Sequence, residues 1–187
     1  MRYFQYLSLE DQQSIFHEMP TNFTKDSEKE LLAHALGAVL YMPATRKQIV
    51  EDIAMNKHKG LISIVLCLED AIGDNQVAFA ENSLAALINQ LGLLIKNGKI
   101  HLSDVPLIFV RVREPNQIMR ISHLLGENCR YLTGFVFPKF SNVNGDEYFD
   151  YLLRANKLLD TKLYGMPILE HSSIIFKETR IDSLVAI

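Results

Sequence analysis

The chain has 187 residues, 48% hydrophobic and 22% charged, which is ordinary for a globular domain and excludes disordered and fibrous classes. The net charge is −3 and the 19 Lys and Arg residues are scattered, so neither nucleic acid nor a membrane surface is expected as a partner. Two cysteines without a CxxC pair, no leader segment and no apolar run of about 18 residues predict a soluble cytoplasmic protein.

Two amphipathic stretches come first and predict a helical lead-in over residues 1–35; they read LEDQQSIFHEM and KDSEKELLAHAL. The remainder, 36–187, alternates apolar runs with helical periodicity. All but the last of the runs are rich in Val, Ile, Leu or Phe without clean polar alternation, which is typical of strands buried on both faces. The five predicted strands are GAVLYMP (37–43), LISIVLCL (61–68), PLIFVRV (106–112), LTGFVFP (132–138) and YGMPILE (164–170).

Helical periodicity fills the segments between these runs. The longest predicted helix begins at a capping Asp74 and ends at Asn97–Gly98. Strands that alternate with helices predict a parallel α/β sheet with right-handed crossovers. The four predicted helices are RKQIVEDIAMNKH (46–58), DNQVAFAENSLAALINQLGLLIKNG (74–98), NQIMRISHLLG (116–126) and DEYFDYLLRANKLL (146–159).

In parallel sheets the ligand lies beyond the carboxyl ends of the strands, where loops and helix N-termini gather. Charged residues occur at this end of every predicted strand. They are Arg46 after the first strand, Glu69 and Asp70 after the second, Arg111 and Arg113 at the third, Lys139 after the fourth, and Glu170 with His171 at the fifth. Carboxylates hold a hard divalent cation, while guanidinium and ammonium groups hold substrate oxygens. The pattern therefore predicts a cleft for a cation and an anionic substrate.

Each of these residues alone also has an ordinary structural explanation. A charged pair after a strand usually begins a solvated loop, Arg111 can pair with a neighbour, and Lys139 can lie on the surface. Cys67 is expected to be a packed core thiol, because nothing nearby in sequence would activate it. His171 is expected to point away from Glu170, and the other histidines lack metal-ligand spacing. Only the joint pattern favours a site.

Five motifs in this order, GAVLYMPATR, LCLEDAI, FVRVRE, GFVFPKF and MPILE, resemble the citrate lyase beta-subunit and malyl-CoA lyase superfamily. They are most similar to its branch of TIM-barrel carbon–carbon bond lyases associated with tellurium-resistance gene clusters. The resemblance runs from about residue 36 to the end. It implies a (β/α)8 barrel that uses Mg²⁺ (or Mn²⁺) to make or break a carbon–carbon bond next to a carboxylate or thioester.

The resemblance also implies roles for individual residues. Arg111 resembles the arginine that binds the reacting carbonyl and steadies the enolate. Glu69 and Asp70 resemble the acidic pair that lines the metal site, and Glu170 resembles the first metal-coordinating carboxylate. Arg46 resembles a residue of the substrate or CoA-phosphate pocket. A metal and an arginine both neutralise an enolate where its charge develops, so these roles are chemically consistent.

Three departures from the family pattern bear on the substrate. Cys67 stands where the family usually has an acid, PKFS (138–141) lacks the Glu of the usual PKxE, and Arg113 replaces a common Asn. These changes disfavour an acyl-CoA substrate, although the resemblance leaves a CoA thioester open. With Lys139 and Arg113 as further substrate-binding cations, a more anionic substrate, phosphorylated or polycarboxylate, is the hypothesis.

A complete barrel of this type needs about 250 residues, and this sequence supplies five strands. We therefore expect the N-terminal portion of a TIM barrel, with about five βα units and leading helices. Such a portion is expected to bind metal weakly and to be inactive as a lyase alone. Its unclosed edge strand predicts self-association into a homo-oligomer.

Two alternatives stay open from the sequence. Five parallel strands also suit a self-contained flavodoxin-like domain, although a response-regulator-like layout would place its acids after the first strand. A non-catalytic barrel that acts as a binding or scaffold partner in a stress or tellurium-resistance cluster is the other alternative. Bound flavin would identify the first, and indifference to the loss of Glu170 would identify the second.

Overall fold

The computed structural model describes all residues from Met1 to Ile187. Its centre is a parallel sheet with the strand order β1-β2-β3-β4-β5. Each crossover moves one position in the same direction, which is the connectivity of a (β/α)8 barrel. A flavodoxin-like sheet would have the order 2-1-3-4-5, so that alternative is wrong. The strands are β1 Val39–Pro43, β2 Ser63–Cys67, β3 Leu107–Arg111, β4 Gly134–Phe137 and β5 Tyr164–Pro167.

Eight α-helices accompany the sheet, and four of them follow β1 to β4 in turn. Short 3₁₀ segments precede α4 and β3 and link α5 to β4. The helices are α1 Leu9–Ile15, α2 Lys29–Ala35, α3 Ile49–Ala54, α4 Val77–Lys96, α5 Gln117–Leu125, α6 Gly145–Leu159, α7 Ser172–Ile175 and α8 Lys177–Val185. The fold is thus the N-terminal portion of a TIM barrel, with leading helices.

The long helix α4 shows one correction to the sequence prediction. Asp74 does not cap it, because Asp74 lies in a 3₁₀ turn and the N-cap position is Gln76. The carboxylate of Asp74 pairs with Arg113 instead. The predicted end is confirmed: the C-cap is Asn97, and Gly98 takes the left-handed backbone, with φ of +68°, that glycine adopts without strain.

The outer face of the sheet carries the main core, a cluster of 32 buried apolar residues. Residues Leu84, Ile88 and Leu91 of α4 are fully buried against it. The stretch Asp74–Lys96 has the length and hydropathy of a membrane span, the one such helix in the chain. Its fully buried stripe instead packs on the sheet, as expected of a core helix in an α/β layer.

The N-terminal segment covers the inner face of the sheet, mainly at the lower end, away from the carboxyl ends of the strands. Phe23 and Leu32 pack with Val65 and Phe109 in a second cluster of eight buried residues. The Tyr3 hydroxyl donates a hydrogen bond of 3.0 Å to the carbonyl oxygen of Ala35 and so ties this segment together. The upper end of the inner face, at the carboxyl ends of the strands, is left for polar groups.

Register decides which polar groups meet at this upper end. Cys67 of β2 lies beside Arg111 of β3, and Arg111 lies beside Val136 of β4. The amide of Leu68 donates to the carbonyl oxygen of Arg111 at 2.9 Å, which continues the β2–β3 pairing one residue beyond β2. Because alternate strand residues share a face, Glu69 emerges on the same side as Cys67 and Arg111.

Candidate active site

Arg111, the last residue of β3, is the centre of the charged cluster. Its Nε and Nη2 atoms donate to Glu69 Oε2 at 2.9 and 2.6 Å. The same Nη2 donates to Asp70 Oδ2 at 2.8 Å and to Glu170 Oε1 at 2.7 Å. Carboxylates that follow β2 and β5 therefore converge on one guanidinium nitrogen. The sequence prediction brought these four residues to one end of the sheet, and the structure places them in direct contact.

The burial of the four side chains differs. The side chains of Arg111 and Glu69 are each only 8% exposed, whereas those of Asp70 and Glu170 are 68% and 36% exposed. The inner pair is a buried ion pair, and the outer two carboxylates reach solvent. An Nη2 group carries two hydrogens and meets three acceptors here, so the outer carboxylates compete for it. Asp70 and Glu170 are therefore the groups most readily available to another cation.

Lys139 adds a second cation to the cluster. Its Nζ donates to Glu69 Oε1 at 2.5 Å, and its backbone amide contacts Glu170 Oε1 at 3.3 Å. Its backbone is left-handed, with φ of +50°, which is uncommon for a residue with a side chain. Lys139 thus links the acids that follow β2 and β5 across the mouth of the sheet.

These contacts separate the protonation behaviour of the adjacent acids. Burial alone would raise the pKa of Glu69, but hydrogen bonds from Lys139, Asp70 and Arg111 outweigh it and hold the pKa at about 2. The hydrogen bond to ionised Glu69, together with burial, raises the pKa of Asp70. Burial opposes the charge of Arg111, yet the bond to Glu69 and the surrounding acids raise its pKa. Glu69 is a fixed anion, and Asp70 takes up a proton more easily.

A cavity of about 180 Å³ opens beside the cluster, between β1 and β2. Cys67 belongs to its wall, so this thiol is buried, as predicted, but it faces the site. Tyr41 of β1 also lines the cavity; sequence reasoning missed it, although a half-exposed tyrosine two residues before the strand end shares the face of Pro43. The full lining is Tyr41, Met42, Pro43, Cys67, Asp70, Ala71 and Arg111.

Two of the predicted site residues, Arg46 and Arg113, make their contacts outside the cluster, as does His171, for which no site role was expected. Arg46 pairs with Asp52 of α3. Arg113 pairs with Asp74 and donates to the carbonyl oxygen of Ile72 at 3.0 Å. His171 caps α7 through its ring nitrogen and the amide of Ser173. The substrate roles of Arg46 and Arg113 therefore stay predictions, and reaching the Arg111 cluster would require both side chains to leave these ion pairs.

The donor set bears on the predicted Mg²⁺. No group of three or more His, Cys, Asp or Glu side chains has the geometry of a metal site. The three carboxylates that follow β2 and β5 meet at Nη2 of Arg111, and this guanidinium is the cation that offsets their negative charge. Carboxylate oxygens are nevertheless the donors that a hard divalent cation prefers. Asp70 and Glu170 fit such a cation in kind, provided that they exchange Arg111 for it.

A sequentially ordered parallel sheet with a charged cluster at the carboxyl ends of its strands defines a TIM-barrel enzyme scaffold. A family model described as carbon–carbon bond lyase of the TIM-barrel fold matches residues 30–187. The chain belongs to this family. No curated protein matches the chain.

Proposed function

We propose that this chain carries the site of a metal-dependent carbon–carbon bond lyase or aldolase that acts on a small carboxylate. The observation that carries the proposal is the convergence of Glu69, Asp70 and Glu170 on Arg111 beside an open cavity. Bond cleavage next to a carbonyl leaves an enolate, and this cluster offers a fixed guanidinium together with displaceable carboxylates. The substrate is a 2-oxo acid, a hydroxy acid or a thioester.

Each residue has a distinct part in this scheme. The guanidinium of Arg111 binds the carbonyl oxygen, and the electron pair of the broken carbon–carbon bond comes to rest on that oxygen as an enolate. The departing carbon becomes a carbonyl when its hydroxyl loses a proton, and Asp70 accepts that proton, since its pKa is raised. Glu69 stays ionised and holds the guanidinium of Arg111 in place through two hydrogen bonds.

Glu170 would hold the Mg²⁺ or Mn²⁺, because it is a partly exposed carboxylate of the cluster, and Asp70 stays free to accept the proton. When bound, the cation supplies Lewis-acid neutralisation of charge at the substrate oxygens. Lys139 binds the far carboxylate of the substrate. Arg46 and Arg113 serve a larger or more anionic substrate, a CoA thioester among them, only when released from Asp52 and Asp74.

A non-catalytic scaffold, as in the tellurium-resistance association, is the second candidate. It is favoured by the way Arg111 and Lys139 already neutralise the acids. Homo-oligomerisation in the cytoplasm also belongs to the proposal. It is supported by exposed apolar residues on α7 and α8, the helices that follow the edge strand β5 in the chain: Ile175, Ile181, Leu184 and Val185.

Calorimetric titration with Mg²⁺ and Mn²⁺, in the presence of pyruvate or oxaloacetate, tests the proposal. We expect weak binding by the chain and none by Glu170→Ala. Glu178→Ala, which removes an exposed acid of α8 outside the cluster, is the matched control and should bind as the parent chain does. Equal metal binding by Glu170→Ala and the parent chain would refute the metal site and favour the scaffold.

A further inference from the structure

In the loop after β4, Lys139 has a left-handed backbone conformation that allows two contacts at once. Its left-handed backbone lets the amide reach Glu170 while the side chain reaches Glu69. At the next residue, the amide of Phe140 donates to the carbonyl oxygen of Ile168 at 3.0 Å. A non-glycine residue keeps such a backbone only where its surroundings impose it. The neighbouring side chains must therefore supply the restraint.

Asn144 makes two side-chain hydrogen bonds across this loop. Its Nδ2 donates to the carbonyl oxygen of Lys139 at 3.1 Å. Its Oδ1 accepts from the amide of Ser141 at 2.9 Å. One amide side chain thereby spans the loop from the strained residue to the start of the next turn.

The position of Asn144 makes this arrangement informative. It is the N-cap residue of α6, where asparagine is among the preferred types because its side chain accepts from the first helical amides. Yet the side chain of Asn144 makes no capping hydrogen bond. It turns back toward Lys139 instead, so its polar atoms serve the loop rather than the helix.

We propose that Asn144 is a positioning residue: it locks the left-handed backbone of Lys139 and thereby holds the Lys139 ammonium on Glu69 at the mouth of the site. The consequence for binding rests on the proposed function, in which Lys139 receives the far carboxylate of the substrate. Without Asn144 the loop relaxes to an ordinary backbone, and the ammonium is no longer aimed across the cleft. The side chain of Lys139 is 60% exposed, so its direction depends on the loop that carries it and on its ion pair with Glu69 rather than on packing.

The first experiment measures the loop directly, by the rate of trypsin cleavage at the Lys139–Phe140 bond, followed by mass spectrometry. The parent chain is compared with Asn144→Ala and Asn144→Asp; the second keeps an acceptor for Ser141 but cannot donate to Lys139. The matched control is Asn156→Ala. Asn156 is also on α6 and likewise makes two side-chain bonds to the backbone, to Leu163 at 2.8 and 3.0 Å.

We expect Asn144→Asp, which loses the one hydrogen bond to Lys139, to be cleaved at Lys139 about tenfold faster. Asn144→Ala, which also loses the bond to Ser141, should be cleaved at least as fast. Asn156→Ala should keep the parent rate at this bond. Parent-like cleavage in both Asn144 variants overturns the proposal, and so does equal acceleration in Asn156→Ala, which would mean general destabilisation.

The second experiment measures calorimetric binding of oxalate, a small dicarboxylate, with Mg²⁺ present. Asn144→Ala and Lys139→Met should each weaken binding about tenfold, and the double variant should be no weaker than Lys139→Met, because both changes remove the same contact. Full additivity overturns the positioning role. If the parent chain does not bind oxalate, the proposed function fails while the cleavage rates still decide the role of Asn144.

Discussion

The two faces of the sheet are built for different purposes. The cluster between the outer face of the sheet and its helices has 32 buried apolar residues. The cluster between the inner face and the N-terminal segment has eight. Burial of apolar area is the main stabilising term of a fold, so we expect the packing on the outer face of the sheet to contribute most of the stability. The charged cluster occupies the rim of the less covered face, where two of its carboxylates reach solvent. Segregation of this kind lets a site hold costly ion pairs without interrupting the core.

The largest expected effect contrasts the two cores. Phe135→Ala removes a fully buried ring of the outer cluster, and Phe109→Ala removes one from the inner cluster. We expect losses in the free energy of unfolding of about 5 and about 3 kcal/mol, because the thinner inner layer collapses more easily around a cavity. Urea denaturation measures both. A larger loss for Phe109→Ala would contradict the assignment of stability to the outer face.

The next effect concerns the rim. Arg111→Met leaves the buried carboxylate of Glu69 with only Lys139 as a charged partner. We expect a loss of about 3 kcal/mol in the free energy of unfolding at neutral pH, as for other broken buried ion pairs. The control is Arg154→Met, whose guanidinium is exposed and lies 4.0 Å from Asp150. Similar stabilities of the two variants would show that the rim pair is not coupled to folding.

Acid should weaken the rim before it affects the outer core. The pKa of Glu69 is about 2 in the fold, against an ordinary value of 4.5, so its stabilising contribution is complete above pH 5 and falls as the pH drops toward 2. The contribution is roughly 3 kcal/mol. In Glu69→Gln the stability deficit should therefore shrink as pH falls, when chemical denaturation is repeated from pH 7 to pH 2. If the stability deficit of Glu69→Gln does not change with pH, ionisation of Glu69 does not cause the loss of stability in acid.

The smallest effect concerns the cover of the inner face. Tyr3→Phe removes the hydroxyl that donates to Ala35 and should lower the free energy of unfolding by about 1 kcal/mol. Tyr6→Phe is the matched control, since Tyr6 is 77% exposed and should tolerate the change. Thermal unfolding of both variants checks this. Equal melting temperatures for Tyr3→Phe and the parent chain would mean that the hydrogen bond does not hold the N-terminal segment.

The five strands and their parallel direction follow from patterns that are local in sequence, whereas the barrel connectivity was implied only by the family resemblance and a flavodoxin-like order stayed open until the strand order was known. Apolar runs such as LISIVLCL are buried wherever they pack, and their alternation with helices leaves few topologies. The convergence of Glu69, Asp70, Arg111 and Glu170 follows from the rule that parallel strands end at one edge. Element ends were less predictable: α3 spans only Ile49–Ala54 within a longer helical pattern.

Contacts between separate loops were beyond the reach of sequence reasoning. Arg113 shares the charge of Arg111 and lies two residues away, yet it turns to Asp74 and the carbonyl oxygen of Ile72. Asn144, which lies just before the predicted helix 146–159 and was not singled out, occupies the N-cap position of α6, yet its side chain bonds to the loop after β4. Side-chain direction at a strand end depends on which partner comes closest, and that partner arrives from a distant part of the chain.

The sequence by itself determined the class of fold, the buried runs and the end of the sheet where the charges gather, because periodicity and strand direction are local properties. Only the tertiary structure decided that three carboxylates share one guanidinium nitrogen, that Lys139 links the acids after β2 and β5, and that the cavity opens beside Tyr41. Electrostatic partnership depends on distances of a few ångströms between residues up to 70 positions apart. Those distances are set by packing rather than by local pattern.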